Sequence, residues 1–245
     1  MGNLTYVFER VERKFLLTPS QYEGLMRVLP EYMQADQYGE STILSLYLDT
    51  ADSLLIRRSL EKPVYKEKLR LRSYGRAEEN SPVYLELKKK LCGVVYKRRA
   101  VLPYAQARAA AAGAHICGTD PETEQTLREI SCFLGRYPVS EKAYISYDRT
   151  AFTGAEDPQL RVTFDRNIRF RQQQLSLNSG MWGAPVLEPG RVLLEIKVAA
   201  AFPVWLSHVL SELELFPVSF SKYGRCYQNY IFKTNQKERS VATSA

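Results

Sequence analysis

Hydrophobic and polar residues alternate along several short stretches of the chain, and this period of two is typical of strands buried on one face. Leu69 and Leu71, for example, alternate with basic residues. The pattern predicts strands at residues 6–17, 42–48, 66–74, 83–90, 94–102, 143–152, 159–171 and 191–198. Turns rich in glycine, proline and small polar residues separate most of these stretches, which supports the assignment.

Helical signals lie between and after the strands. Thr18-Pro19-Ser20 predicts a helix start, because proline is well tolerated in the first turn. Further helices are predicted at residues 51–60, 104–114, 119–134, 203–213 and 223–233, and residues 172–189 are predicted to form an irregular loop. Strands and helices do not alternate regularly, so an α+β protein with an antiparallel sheet and helices packed on the outside is favoured over a parallel sheet.

Composition limits the class of protein further. The 245 residues are 45% hydrophobic and 25% charged, which is ordinary for a globular protein. One domain is expected over residues 1–234, with a flexible tail at 235–245. No secretory signal or membrane-spanning segment is recognised, and the four cysteines lack metal or redox spacing, so a cytoplasmic location is expected. Two histidines argue against His-based catalysis.

The net charge of +7 has a specific pattern. Lysine and arginine recur at every second position of the predicted strands, with a few acidic residues among them. Alternation places the following residues on the charged faces: Arg10, Glu12, Lys14, Lys68, Arg70, Arg72, Glu86, Lys88, Lys90, Lys97, Arg99, Arg161, Thr163, Asp165, Glu195 and Lys197.

For a single strand, such a face would be read as a solvated outer surface. Six strands with the same pattern change this interpretation, because like charges on neighbouring strands repel one another unless an anion or a carboxylate compensates them. A sheet closed into a β-barrel would direct these faces into one charged tunnel and its apolar faces toward the helices. Such a tunnel suits a polyanion, gripped by arginine and lysine, together with a divalent metal ion held by carboxylates.

The sequence resembles the VTC domain, a polyphosphate polymerase module of the triphosphate tunnel metalloenzyme (CYTH-like) superfamily. The resemblance covers about residues 8–232 and is weakest at 172–189. It is carried by nine segments in the same order: Glu12-Arg13-Lys14-Phe15, Tyr47-Leu48-Asp49-Thr50, Lys68-Leu69-Arg70-Leu71-Arg72-Ser73-Tyr74-Gly75, Leu85-Glu86-Leu87-Lys88, Val95-Tyr96-Lys97-Arg98-Arg99, Tyr147-Asp148-Arg149-Thr150-Ala151-Phe152, Arg161-Val162-Thr163-Phe164-Asp165, Leu194-Glu195-Ile196-Lys197 and Ser221-Lys222-Tyr223.

The resemblance implies a role for individual residues. The expected phosphate-binding and catalytic residues are Lys14, Arg70, Arg72, Lys88, Lys97, Arg149, Arg161 and Lys222. Further substrate-binding positions, with less support, are Arg10, Lys68, Arg99 and Lys197. Glu195 is the expected metal ligand, and Glu12 matches the second glutamate of the superfamily's ExExK motif. Arg10 replaces the first glutamate, a departure that disfavours a two-metal hydrolytic mechanism.

The function implied is transfer of the γ-phosphoryl group of ATP to a growing inorganic polyphosphate chain, with release of ADP. Mn²⁺ or Mg²⁺ is the expected cofactor, and pyrophosphate or triphosphate is the expected primer. A separate membrane partner is conceivable from the family, and nucleic acid is not an expected partner. Two alternatives stay open: a tripolyphosphatase or nucleoside triphosphatase of the same fold, and a polyphosphate- or RNA-binding module without activity.

Five tyrosines on strands are read as packing residues rather than base-stacking platforms: Tyr47, Tyr74, Tyr84, Tyr96 and Tyr147.

Overall fold

The computed structural model describes residues 11–232. Its strands are β1 (Val11–Leu17), β2 (Met33–Thr50), β3 (Tyr65–Tyr74), β4 (Pro82–Leu91), β5 (Val94–Pro103), β6 (Val139–Gly154), β7 (Arg161–Arg171), β8 (Ala184–Pro185) and β9 (Val192–Val198). Its helices are α1 (Pro19–Tyr32), α2 (Leu54–Leu60), α3 (Tyr104–Ala111), α4 (Pro121–Arg136), α5 (Val204–Glu212) and α6 (Lys222–Cys226), which continues into a π-helical turn at Tyr227–Ile231.

The strands pair in the order β1-β9-β7-β6-β2-β3-β4-β5, and β8 pairs with β7. The β1–β9, β7–β9, β7–β8, β2–β3, β3–β4 and β4–β5 pairs are antiparallel. The predicted class, an antiparallel sheet combined with helices, is therefore confirmed. The strand pairing of residues 11–232 does not close the sheet, and the β-barrel tunnel stays a prediction. No helix within residues 11–232 is both long and apolar enough to cross a bilayer.

The described residues group into two compact units that interleave along the chain. Unit 1 comprises residues 11–41, 148–167 and 187–220, and unit 2 comprises residues 42–147, 168–186 and 221–232. The single domain expected over residues 1–234 stays a prediction.

In unit 1, one face of the sheet packs against α1 and α5. Phe15, Phe164 and Leu194 are buried in the same apolar cluster as Leu25 of α1 and Leu206 of α5. The sequence begins α1 as predicted, because the Thr18 side chain accepts from the amide of Gln21 while the Gln21 side chain accepts from the amide of Thr18. Burial of these apolar side chains leaves the alternate positions of the strands to face away from the helices.

Unit 2 has its own core of the same design. Leu69, Leu71, Leu85 and Leu87 are fully buried on one face of β3 and β4, in a cluster with side chains of α3 and α4. Alternation therefore holds as predicted, and Lys68, Arg70, Arg72, Glu86 and Lys88 lie on the opposite face. Glu67 and Lys89 are the exceptions, because they lie on the leucine face and pair with Arg136 and Glu129 of α4.

Most predicted boundaries are shifted by a few residues, and three elements differ more from their predictions. β2 begins at Met33, directly after α1, rather than at residue 42. The loop predicted at 172–189 contains the short strand β8. The helix predicted at 223–233 is α6 followed by the π-helical turn, and the predicted tail at 235–245 lies outside the described residues.

Candidate functional site

Register places charged residues of unit 2 in rows that run across three strands. Arg70 of β3 lies opposite Glu86 of β4, which lies opposite Arg99 of β5. The next row toward the other end of the sheet consists of Lys68, Lys88 and Lys97. Five of the six residues in these two rows are cationic, so neighbouring strands present an excess of positive charge on one face.

Glu86 is the centre of this face. Its side chain is only 1% exposed, and four cations converge on its carboxylate. Arg70 reaches one oxygen with Nε and Nη2, both at 2.6 Å, and Nε of Arg72 lies 4.0 Å from that oxygen. Lys97 Nζ at 2.7 Å and Arg99 Nη2 at 3.0 Å contact the other oxygen. We call these five residues the Glu86 cluster. Its four cations and one carboxylate give a net formal charge of +3.

The charges of the Glu86 cluster shift one another's protonation. Burial acts to raise the pKa of Glu86, but Arg70, Arg72 and Lys97 outweigh it and hold that pKa far below its usual range. Burial lowers the pKa of Lys97 to about 8, although the charge of Glu86 opposes the shift. Glu86 is therefore a permanent anion, whereas Lys97 titrates just above neutral pH.

Two tyrosines and Lys222 extend the Glu86 cluster. Arg70 donates to the Tyr47 hydroxyl at 3.0 Å, and Arg72 donates to the Tyr147 hydroxyl at 3.2 Å. Lys222 Nζ lies 4.5 Å from the centroid of the Tyr147 ring, within the range of a cation–π contact. Burial acts to raise the pKa of Tyr47, but the charges of Arg70 and Arg72 outweigh it and lower that pKa. Both phenols therefore help to orient the arginines.

One donor in this region lacks a hydrogen-bond partner. Nε of Arg72 is buried, and no described residue accepts from it. The hydroxyl of Ser45, which lies opposite Arg72 on β2, is also buried and unsatisfied by the described residues. Buried polar atoms without partners are costly, so a polar ligand or an ordered water molecule at these atoms would be favourable.

Unit 1 carries a second charged group, built on β1, β9 and β7. Register sets Lys14 opposite Glu195, and Glu195 opposite Thr163. Lys14 Nζ lies 3.2 Å from a Glu12 oxygen and 3.4 Å from a Glu195 oxygen, and it donates to the carbonyl of Phe220 at 3.2 Å. Two carboxylates thus converge on one ammonium group.

Arg149 lies on β6, the neighbour of β7, and it extends this charged group. Its Nε and Nη2 atoms donate to the two oxygens of Asp165 at 2.6 and 2.7 Å, and Nη2 lies 3.6 Å from Glu195. The Asp165 side chain is fully buried. We call Glu12, Lys14, Arg149, Asp165 and Glu195 the Glu195 cluster; its carboxylates outnumber its cations by three to two, the reverse of the Glu86 cluster.

The remaining predicted residues are more dispersed. Arg161 pairs with Asp36 at 3.4 Å, and its register partner Lys197 lies opposite Glu12. Lys68 Nζ lies 3.3 Å from the Ser221 hydroxyl. Lys88 is exposed in the lysine row, and Arg10 lies outside the described residues.

A divalent metal ion fits the donor set of the Glu195 cluster. Glu12 and Glu195 already place oxygens around a single cation, the Lys14 ammonium, and carboxylate oxygens are the ligands that Mg²⁺ and Mn²⁺ prefer. Among residues 11–232, no group of three or more acidic, His or Cys side chains is positioned to hold a metal. A metal here would rely on two glutamates and on substrate oxygens, which is common for Mg²⁺.

Sequence reasoning missed the two best-buried acids of the site. Glu86 and Asp165 were placed on the charged faces by alternation, but neither was assigned a role. The available signal was that each is an acid on a charged face with basic residues along the same strand, Lys88 and Lys90 for Glu86 and Arg161 for Asp165. The interpretation of tyrosines as packing residues is right for Tyr47 and Tyr147, which are buried, and wrong for Tyr74 and Tyr96, which are 54% and 49% exposed.

Comparison with known proteins agrees with this arrangement. The VTC domain family matches residues 9–231. The chain belongs to the VTC domain family. That assignment covers both charged clusters, and it places the chain among enzymes of nucleotide and polyphosphate metabolism. No curated protein matches the chain.

Two solved structures are similar to the chain at low sequence identity. A candidate adenylate cyclase from Bacillus halodurans is 15% identical, with a TM-score of 0.52 and coverage of 86% of this chain and 93% of that one. A candidate adenylyl cyclase from Hippeastrum with a dominant triphosphatase activity is 16% identical, with a TM-score of 0.48 and coverage of 87% and 93%. The first of these similarities supports the fold alone.

Proposed function

We propose that this VTC domain is a polyphosphate polymerase, which transfers the γ-phosphoryl group of ATP to the end of a polyphosphate chain and releases ADP. The carrying observation is the Glu86 cluster, in which one buried carboxylate faces four cations. Positive charge in such excess around one carboxylate favours a polyanion. The unsatisfied Nε of Arg72 supports the same reading, because a phosphate oxygen would satisfy it.

Both units contribute residues to the proposed binding of phosphate. In unit 2 they are Arg70, Arg72, Lys88, Lys97 and Lys222, with Lys68 and Arg99 in support, and in unit 1 they are Lys14, Arg149 and Arg161, with Lys197 in support. Arg149 differs from the others, since Asp165 engages two of its nitrogens. Arg149 therefore positions Glu195 and Asp165 in addition to binding phosphate.

Phosphoryl transfer to phosphate makes modest chemical demands. The transition state is loose, so catalysis depends on alignment and on cations around the transferred group. The attacking oxygen of a polyphosphate end is already anionic, so no general base is needed. Glu195 and Glu12 would hold Mn²⁺ or Mg²⁺, which would supply positive charge against the charge that develops during transfer.

Hydrolysis of triphosphate by the same fold is the second candidate function. It requires an activated water molecule, and metal-based activation would draw on the acidic Glu195 cluster. The polymerase is favoured because Arg10 stands where the superfamily motif has a glutamate, which reduces the acidic ligands available.

The two functions differ in their products. The purified protein is incubated with ATP, Mn²⁺ and a pyrophosphate or triphosphate primer, and the products are resolved on a gel and assayed for free phosphate. Long phosphate chains with ADP support the polymerase, whereas free phosphate alone supports the hydrolase. Arg70→Ala removes a cation of the Glu86 cluster and is expected to abolish chain synthesis.

Arg128→Ala is the matched control. Arg128 lies on the exposed surface of α4 and pairs with Glu124, so its loss should leave synthesis unchanged. Full synthesis by the Arg70 variant would overturn the assignment of the Glu86 cluster. Absence of both chains and free phosphate in the wild type would leave a binding module as the better description.

A further inference from the structure

The charged face of unit 2 ends in an aromatic patch. Beyond the row of Arg70, Glu86 and Arg99, the next row consists of Arg72, Tyr84 and Val101. Tyr74 follows Arg72 two positions later on β3, so it continues the same face. Successive rows are about 7 Å apart along a strand, so this patch lies one step from the Glu86 cluster.

Contacts confirm that these side chains share the charged face. The Tyr74 and Tyr84 rings meet edge to face, with centroids 5.7 Å apart. The guanidinium of Arg99 lies 4.6 Å from the centroid of the Tyr84 ring, while the same group binds Glu86. Tyr74 is 54% exposed and Val101 is 50% exposed. Unit 2 therefore presents an accessible aromatic surface directly beside its phosphate-binding arginines.

The other end of the same face is entirely different. Past the row of Lys68, Lys88 and Lys97, the next row pairs Lys66 with Lys90. The face thus runs from aromatic residues, through arginines around Glu86, to a row of three lysines and then a row with two. This polarity matches a nucleoside triphosphate, which has an aromatic base at one end and phosphate at the other.

We infer that Tyr74, with Tyr84 and Val101 beside it, forms the subsite for the nucleobase of the substrate nucleotide. The inference rests on the proposed function and deepens it, because it gives the nucleotide a direction: base at the aromatic end, and terminal phosphate toward the lysine rows. Stacking on tyrosine is tolerant of base identity, since every base has a π face. The subsite therefore adds affinity for nucleotides over inorganic triphosphate with little discrimination between ATP and GTP.

Binding measurements test this subsite without relying on turnover. Dissociation constants for ATP, GTP and inorganic triphosphate are measured by calorimetry in EDTA, for the wild type and for Tyr74→Ala. Loss of a stacking tyrosine should weaken ATP and GTP at least about fivefold, the lower end of measured base–aromatic stacking. Affinity for inorganic triphosphate should stay unchanged. Tyr74 is the better target than Tyr84, whose truncation would also release Arg99.

Two further variants separate stacking from general damage. Tyr74→Phe keeps the ring and should retain nucleotide affinity. Tyr96→Ala removes an equally exposed tyrosine whose alternation places it on the opposite face of β5, and it should change neither ligand. Unchanged ATP affinity in Tyr74→Ala, or equal weakening of ATP and triphosphate, would overturn the subsite. Wild-type protein that binds neither ligand would refute the proposed function and the subsite with it.

Discussion

Nε and Nη2 of Arg70 both lie 2.6 Å from the same oxygen of Glu86, and this contact organises the basic face of unit 2. The second oxygen of Glu86 is left to Lys97 and Arg99. A single buried carboxylate therefore fixes the positions of several cations without neutralising them. Glu86 holds mutually repelling groups together, and under the proposed function this arrangement is in place before a polyanion binds.

Replacement of Glu86 should destabilise the fold and strengthen its dependence on anions. In Glu86→Gln the surrounding cations lose the carboxylate on which they converge, and removal of one partner from a buried ion pair typically costs about 3–5 kcal/mol. We expect a lower unfolding temperature and a lower free energy of unfolding. Inorganic triphosphate should raise the unfolding temperature of this variant more than that of the wild type, because a ligand that binds only the folded state stabilises it.

Glu129→Gln is the comparison for this effect. Glu129 also binds two cations, Lys89 and Arg98, but its side chain is 26% exposed, so the cost should stay below about 1 kcal/mol. Thermal unfolding with and without triphosphate gives both quantities. Equal stability of the two variants would show that Glu86 does not organise the cations.

Lys97 should give phosphate binding and folding stability opposite dependences on pH. Its pKa is about 8 in the folded protein against 10.5 ordinarily. Between these values the unfolded chain holds the proton and the folded chain releases it, so this residue adds stability as pH rises. Anion binding needs the charged lysine, so affinity for triphosphate should fall above pH 8, by up to about tenfold per unit.

Lys97→Met isolates this contribution. Triphosphate affinity and unfolding temperature are measured from pH 7 to 10 in both proteins, and the wild-type curves should diverge from the variant curves above pH 8. Parallel curves for wild type and variant would show that Lys97 does not titrate in this window.

Alternation of apolar and charged residues predicts which face of a strand each side chain lies on. The partner of each residue on the neighbouring strand depends on register, which alternation does not give. Leu69 and Leu71 identified the buried face of β3, which fixed the direction of Arg70 and Arg72. The sequence does not show which residue of β4 lies opposite Arg70. Glu86 gained its role only when register set it between Arg70 and Arg99.

The exposure of tyrosine side chains is also not predictable from the strand pattern alone. Tyr147 and Tyr74 occur in similar strand patterns, yet Tyr147 is buried under Arg72 and Lys222 while Tyr74 stands at the exposed end of its strand. Residue type alone favours packing for both. Their exposure depends on where each strand ends relative to its neighbours, which is a property of the assembled sheet.

Asp165 and Arg149 should act as one structural unit. Asp165 is fully buried and accepts two hydrogen bonds from Arg149, so Arg149→Ala removes both of these bonds from a buried charge and should cost about 3–5 kcal/mol. The double variant Arg149→Ala, Asp165→Asn removes that charge and should recover part of the loss. Urea unfolding of both single variants and the double variant measures the coupling.

Arg161→Ala is the comparison variant, because it removes an exposed ion pair instead of a buried one. Arg161 pairs with Asp36 at 3.4 Å and its side chain is 46% exposed, so its loss should cost less than about 1 kcal/mol. Additive losses in the Arg149 and Asp165 cycle would contradict the paired role of these two residues.

Glu195 should control the metal dependence of chain synthesis while sparing metal-free phosphate binding. Glu195→Gln removes one negative charge beside Lys14 and Arg149, so triphosphate binding in EDTA should be retained or strengthened. Synthesis from ATP across a Mn²⁺ titration should be abolished or need far more metal, because carboxylate is a stronger ligand than amide for a hard cation. Glu188→Gln changes an acid in unit 1 that is 80% exposed and should leave the titration unchanged. A wild-type Mn²⁺ response in the Glu195 variant would place the metal elsewhere, and loss of triphosphate binding in EDTA would indicate a structural role for Glu195 instead.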